Sequence, residues 1–143
     1  MAVTAKWYLN GPKHVASDVL WLTDTIKVML ATSADPPNQD TDEFKSAVTG
    51  EVVGTGYTAR GVTLASKTLA ADAASNETRF DAADVSWTAA SFTARYAIIY
   101  KDTGTDGTSV LLGYVDFGAD ETVSAGTFSI AWDATGALKI VAA

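Results

Sequence analysis

One histidine, no cysteine and seventeen carboxylates set the chemistry open to this chain of 143 residues. Without a thiol there is no disulfide, no thiolate nucleophile and no cysteine-ligated zinc. A Ser-His-Asp mechanism would have to run through His14, which lies in the turn-like run Asn10-Gly11-Pro12-Lys13-His14, and no nucleophile-elbow pattern occurs in the chain. A solvent-facing turn histidine is the simpler reading. A metal site built around one histidine would be almost all carboxylate, which suits calcium or magnesium better than zinc. The best match is Asp102-x-Gly104-x-Asp106-Gly107, with oxygen donors at the first and fifth positions and glycine at the sixth. It has Gly104 at the third position and Gly113 at the twelfth, where a calcium loop needs a bidentate glutamate, so an ion-free hairpin turn is favoured. Asp116, Asp120, Glu121 and Asp133 could supply the carboxylate pair of a glycosidase, but such a pair must be held at a set separation and nothing in their spacing sets it. Gly54-Thr55-Gly56 is followed by Gly61, five positions on where a dinucleotide fingerprint wants three, and by no Lys-Ser/Thr pair, so it reads as a turn or bulge. The expectation is a protein with no catalytic residue, no cofactor and no metal.

Charge and hydropathy narrow the partners. Ten basic against seventeen acidic residues leave a net charge of −7, which argues against nucleic acid because affinity for phosphates rests on cationic contacts. The longest strongly apolar runs, Ile26 to Ala31 and Val110 to Leu112, fall far short of the ~20 residues of a membrane-spanning helix. The start, Met1-Ala2-Val3-Thr4-Ala5-Lys6-Trp7, lacks the basic-then-apolar layout of a secretory signal. Synthesis in a cytoplasm, with no membrane partner, is expected.

The elements that must position these residues are mostly strands. Phe92 to Lys101 alternates cleanly, with Phe92, Ala94, Tyr96, Ile98 and Tyr100 predicted on one face, and the turn formers Asp102 to Gly107 lead into a second strand from Ser109 to Phe117. Thr127 to Trp132, the turn Asp133-Ala134-Thr135-Gly136, and Leu138 with Ile140 form a second hairpin. Ile26 to Thr32, Val62 to Leu69, Thr78 to Asp81 and Val85 to Thr88 complete the set. Short strands at this spacing predict a single-domain antiparallel β-sandwich, jelly-roll or Ig-like, over residues 21–143, preceded by an irregular N-terminal arm over residues 1–20. One short helix is predicted near residues 41–48, where Phe44, Ala47 and Val48 repeat at helical spacing behind Thr41. It lies in a stretch from Ala34 to Arg60, long for a connection, which is either functional or an excursion to a partner. Trp87 and Trp132 fall on strand positions and read as core, whereas Trp7, Tyr8 and Trp21 lie in poorly patterned sequence. Those three are either buried under the domain or, if exposed, aromatic anchors for another protein. With Pro36, Pro37, Phe44, Tyr57 and Arg60 from the long connection, they form the candidate protein–protein contact set.

Several blocks carry a resemblance. They are Leu22 to Ser33 (LTDTIKVMLATS), Asp40 to Phe44 (DTDEF), Gly54 to Leu64 (GTGYTARGVTL), Ala94 to Asp102 (ARYAIIYKD) and Leu112 to Gly118 (LGYVDFG). Across about residues 20 to 140 the chain resembles a family of small structural proteins encoded in the virion modules of tailed bacteriophages. The resemblance implies a non-enzymatic capsid decoration (cement) protein. Such a protein binds the outer surface of the major capsid protein shell and neighbouring copies of itself, as a dimer or trimer, on the capsid exterior. The other role it implies is a tail- or fibre-associated adhesion module that meets a sugar or receptor through its aromatics and the Asp102 to Gly107 tip. A negative charge suits a position away from packaged DNA.

Overall fold

In chain order, a computed structural model, which describes residues 2–142, gives strands β1 (Ala2–Val3) and β2 (Lys6–Trp7), helix α1 (Gly11–Ser17), and strands β3 (Ile26–Ala31), β4 (Val62–Thr63), β5 (Thr68–Asp72), β6 (Glu77–Asp81), β7 (Val85–Lys101), β8 (Leu111–Trp132) and β9 (Leu138–Val141). Strands dominate, as the alternation predicts. They form two sheets. In the larger, the order is β1-β8-β7-β3-β4 with β2 also on β8; in the smaller it is β5-β6-β9. Every ladder is antiparallel except β1 on β8, where Ala2 lies beside Ala131 and Val3 beside Trp132 in parallel.

The strands predicted separately at Val85 to Thr88 and Phe92 to Lys101 are one continuous β7, and those at Ser109 to Phe117 and Thr127 to Trp132 merge into β8. Bulges absorb the irregular sequence between them. From Ala94 to Tyr96 the pairing moves from Glu121 to Asp116, so β8 spends five residues against two, turning through Gly118 at φ 84°. That slip overturns the single-face reading of β7. Phe92 and Ala94 lie in one apolar cluster with Ala97 and Ile99, while Tyr96, Ile98 and Tyr100 lie in another on the opposite side. Side chains alternate with period two, so one displaced residue moves every later side chain to the other face.

The larger cluster joins the two sheets: Val28, Leu30, Ile99 and Leu112 meet Phe80 of β6 and Leu138 of β9, with Trp21, Trp87 and Trp132. Trp7 and Trp21 both stand edge-on to Phe80, at 5.4 and 5.6 Å. The smaller cluster is Tyr8, Met29, Ala31, Tyr96, Ile98, Tyr100 and Leu111, with Val48 and Tyr114 against it. Residues 2–20 are therefore part of the body and not a separate irregular arm: β1 and β2 add to β8, and Ala5, Tyr8 and Val19 are buried. Helix α1 was hidden by its glycine and proline. Pro12 is tolerated because it lies in the first turn, where its missing N–H costs no helical bond.

The helix predicted near residues 41–48 is reduced to a 3₁₀ turn at Lys45–Ala47. Its backbone is spent elsewhere. Leu111 N donates to Glu43 O at 2.9 Å, Lys45 N donates to Ser109 O at 2.8 Å, and Phe44 bridges Val110. Extended pairing with the start of β8 and helical i to i−4 bonding cannot share the same groups.

Two glycines separate contact from conformation. Gly61 has φ 75° and an added Cβ would sit 1.9 Å from Val28 O, whereas Gly104 has φ 85° with nothing within 4 Å. Gly104→Ala is expected to cost about 1 kcal/mol, the conformational term alone, and Gly61→Ala clearly more, because β3 must shift. Urea unfolding midpoints of the two variants measure the difference.

Candidate interaction surface

The long connection has almost no regular structure, so its polar groups must be satisfied individually. Arg60 is the centre of that arrangement. Held at φ 76°, it aims its guanidinium at the β7–β8 turn, with Nη2 and Nε donating to Asp102 Oδ1 at 2.5 and 3.2 Å and Nη1 to Asp106. Lys27 Nζ of β3 lies 2.9 Å from Asp102 Oδ2. Lys45 Nζ stands 3.3 Å from Glu51 Oε2 and 3.6 Å from Asp106 Oδ2, with its side chain only 7 % exposed. Glu51 Oε1 accepts from Tyr57 Oη at 2.8 Å and from the Arg60 amide, and Tyr57 Oη accepts from Leu30 N at 3.0 Å. Tyr100 Oη donates to Arg60 O at 2.7 Å.

Three cations thus meet three carboxylates. The Arg60 hydrogen bond holds the Asp102 carboxyl well below the ordinary carboxylate range, with help from Gly104 N–H and Lys27, and it lowers Asp106 as well. Burial pushes the Tyr57 and Tyr100 hydroxyls up, so both remain protonated donors. The acids of the calcium-like run Asp102 to Gly107 are therefore neutralised by the protein's own cations. Among the described residues no group of three or more His, Asp or Glu side chains is placed to hold a metal ion.

A second tie lies on the other flank. His14 is buried on α1 rather than facing solvent, because both ring nitrogens meet carboxylates: Nδ1 is 2.9 Å from Asp18 Oδ1 and Nε2 is 2.8 Å from Glu43 Oε1. Its ring stands 6.1 Å from Phe44. Neither nitrogen faces a hydroxyl, so the arrangement ties α1 to the long connection and does not activate a nucleophile. The Lys13 ammonium and then His14 lower the Glu43 carboxyl, and the His14 hydrogen bond lowers that of Asp18.

The eight predicted contact residues do not converge on one surface. Tyr8 is fully buried in the smaller cluster and Trp21 is buried in the larger, its Nε1 donating to Asp81 O at 3.3 Å. Trp7 is half-buried, with Nε1 donating to Lys139 O at 2.7 Å. Phe44 and Tyr57 are half-buried anchors of the connection, and Arg60 is its charged clasp. Pro36 is exposed and Pro37 half-exposed. The residues that sequence reasoning missed are Lys27, Lys45, Glu51 and the pairing role of Asp102 and Asp106. Charges spread over the chain give no hint of meeting until the topology brings β3, the connection and the β7–β8 turn together.

What the ties present outward is a surface: Val53, 94 % exposed, with Thr55, Gly56, Thr58 and Ala59, and the turn Thr103 to Thr108 beside Arg60. Compared with protein-family models, curated proteins and solved structures, the chain finds no match in any of the three.

Removing the clasp leaves Asp102 with Lys27 and the Gly104 N–H only, so Arg60→Met is expected to cost about 2 kcal/mol in urea unfolding, less than for one partner lost from a fully buried pair because Arg60 is partly exposed. A carboxyl depressed in the fold contributes stability that is complete above its unfolded value of about 3.9 and is lost as pH falls below it. The unfolding midpoint of the native protein should therefore drop between about pH 4 and pH 2, and Asp102→Asn should flatten that drop.

Proposed function

We propose that this chain is a non-enzymatic structural protein of a tailed-bacteriophage virion. In this reading it is a capsid decoration (cement) protein on the outer face of the major capsid protein shell, touching neighbouring copies of itself. The observation that carries the reading is the pinning of residues 34–61: a long irregular connection is tied by Arg60, Lys45, Tyr57 and His14 to three different parts of the body. A protein that reinforces a shell acts through stiff, pre-ordered contact surfaces rather than a reactive cleft, and pre-ordering reduces the entropic cost of docking.

The resemblance supports the same reading, and three of its blocks each contribute one residue to the clasp: Lys27 comes from the first, Arg60 from the third and Asp102 from the fourth. Two sheets sharing one core support a sandwich body, of the jelly-roll or Ig-like kind the strand spacing suggests. The adhesion alternative rests mainly on the exposed turn Thr103 to Thr108, because Tyr8, Trp21, Trp87 and Trp132 are buried and Trp7 is half-buried.

Copy number in purified particles tests the assignment. A number matching the capsid lattice is expected, and a handful per particle would favour the tail or fibre. Val53→Asp, on the outward rim, should weaken rebinding to shells stripped of the protein while leaving its urea midpoint unchanged.

A further inference from the structure

Among the described residues the sheets leave several strand edges, and all but one are short or blocked. The outer edge of β8 between its pairings with β2 and β1 is bent by Gly118 at φ 84° and Ala125 at φ 48° and carries Asp120 and Glu121. The outer edge of β7 before β3 is bridged by Thr55 to Ser91. β1, β2 and β4 are each two residues long, and β9 is covered by Trp7, which donates to Lys139 O. Bulges, charges and covering groups are the usual protections of an edge.

β5 has none of them. Thr68-Leu69-Ala70-Ala71-Asp72 pairs with β6 in unbroken register, contains no proline or glycine, and is exposed from Thr68 to Ala71. The two charges that could guard it are folded back into the chain: Lys67 Nζ donates to Asp24 O, and Asp72 accepts from Arg79 at 3.0 Å and Ser75 N at 3.1 Å. Its inner face also runs past the core. Leu69 stands opposite Phe80, and Phe80 opposite Leu138, yet Leu69 is 44 % exposed and Ile140, further along the same face, 36 % exposed.

We infer that β5 is a self-association edge, which pairs antiparallel with β5 of a second copy about a two-fold axis through Ala70. A two-fold axis normal to a continuous sheet keeps each side chain on its own face, so residues of equal parity must oppose one another. Centring on Ala70 uses all five residues. Leu69 then faces Ala71 of the second copy on the apolar side, and Asp72 faces Thr68, so no like charges oppose. The same chemistry in any other full-length partner would have to be supplied from outside; a second copy supplies it by symmetry. The result is a six-stranded sheet made from two three-stranded ones. A five-residue strand addition falls short of the roughly 1,200 Å² of a stable interface, so the pairing is weak in dilute solution and gains when copies are held side by side.

This deepens the self-association element of the proposed role. The experiment uses the isolated full chain and no shell, so its failure is distinguishable from a failure of shell binding. The chain has no cysteine, so Ala70→Cys and Thr68→Cys each carry a single thiol on the same exposed strand. Under mild oxidation Ala70→Cys should form a disulfide-linked dimer much faster than Thr68→Cys, because only Ala70 meets its own counterpart in this register. Adding Leu69→Lys to Ala70→Cys should abolish that advantage, with circular dichroism unchanged. Equal rates for the two single variants, whether both fast or both slow, would overturn the proposal.

Discussion

The stretch Tyr96 to Tyr100 is buried on both sides, and the rest of the molecule is arranged around that constraint. There β7 lies between β3 and β8, so the backbone from Tyr96 to Lys101 is paired on both edges, but each face still has to be covered. The smaller sheet, Trp21 and Phe80 cover one face; Tyr8, Val48 and Tyr114 cover the other. The long connection between β3 and β4 adds cover to both faces: Phe44, Val52 and Tyr57 pack with the larger cluster and Val48 against the smaller.

Such a cover brings irregular backbone and charge close to an apolar interior, where an unpaired group is expensive. The Arg60 clasp and the His14 tie answer that cost by pairing charges locally, and they fix the geometry because a guanidinium fork accepts few arrangements. Stiffness in the connection is therefore a consequence of the two-faced sheet. The proposed role on a virion uses that stiffness directly, since an ordered rim at Val53 to Ala59 can meet a neighbour without first being organised.

The first hairpin was legible because alternation and turn residues are local: Asp102 to Gly107 turn β7 into β8 as their glycines and aspartates predict. The chain also turns at Asp133 to Gly136, but the expected second hairpin does not form, because β9 leaves β8 and pairs with β6 in the smaller sheet. Facing was not legible beyond Ala94, because a bulge depends on how two strands twist together and leaves only Gly118 as a trace. Thr41 to Val48 has real helical periodicity, and extended pairing to Ser109 and Leu111 overrides it. Tyr8 and Trp21 could be read as core or contact, and only the placement of β1, β2 and α1 against β8 decides for core. The candidate site was the least legible part, since Arg60 was picked out as a contact residue whereas its partners Lys27, Asp102 and Asp106 come from distant segments.

Amide hydrogen exchange tests the pinned connection most directly, since Val52 N donates to Leu30 O at 2.9 Å and Arg60 N to Glu51 Oε1. If the cover is as fixed as the sheet it protects, the amides of Val52 and Arg60 exchange on the timescale of β3 and β7. Exchange of those two amides as fast as that of the exposed turn at Gly104 and Gly107 would contradict the account.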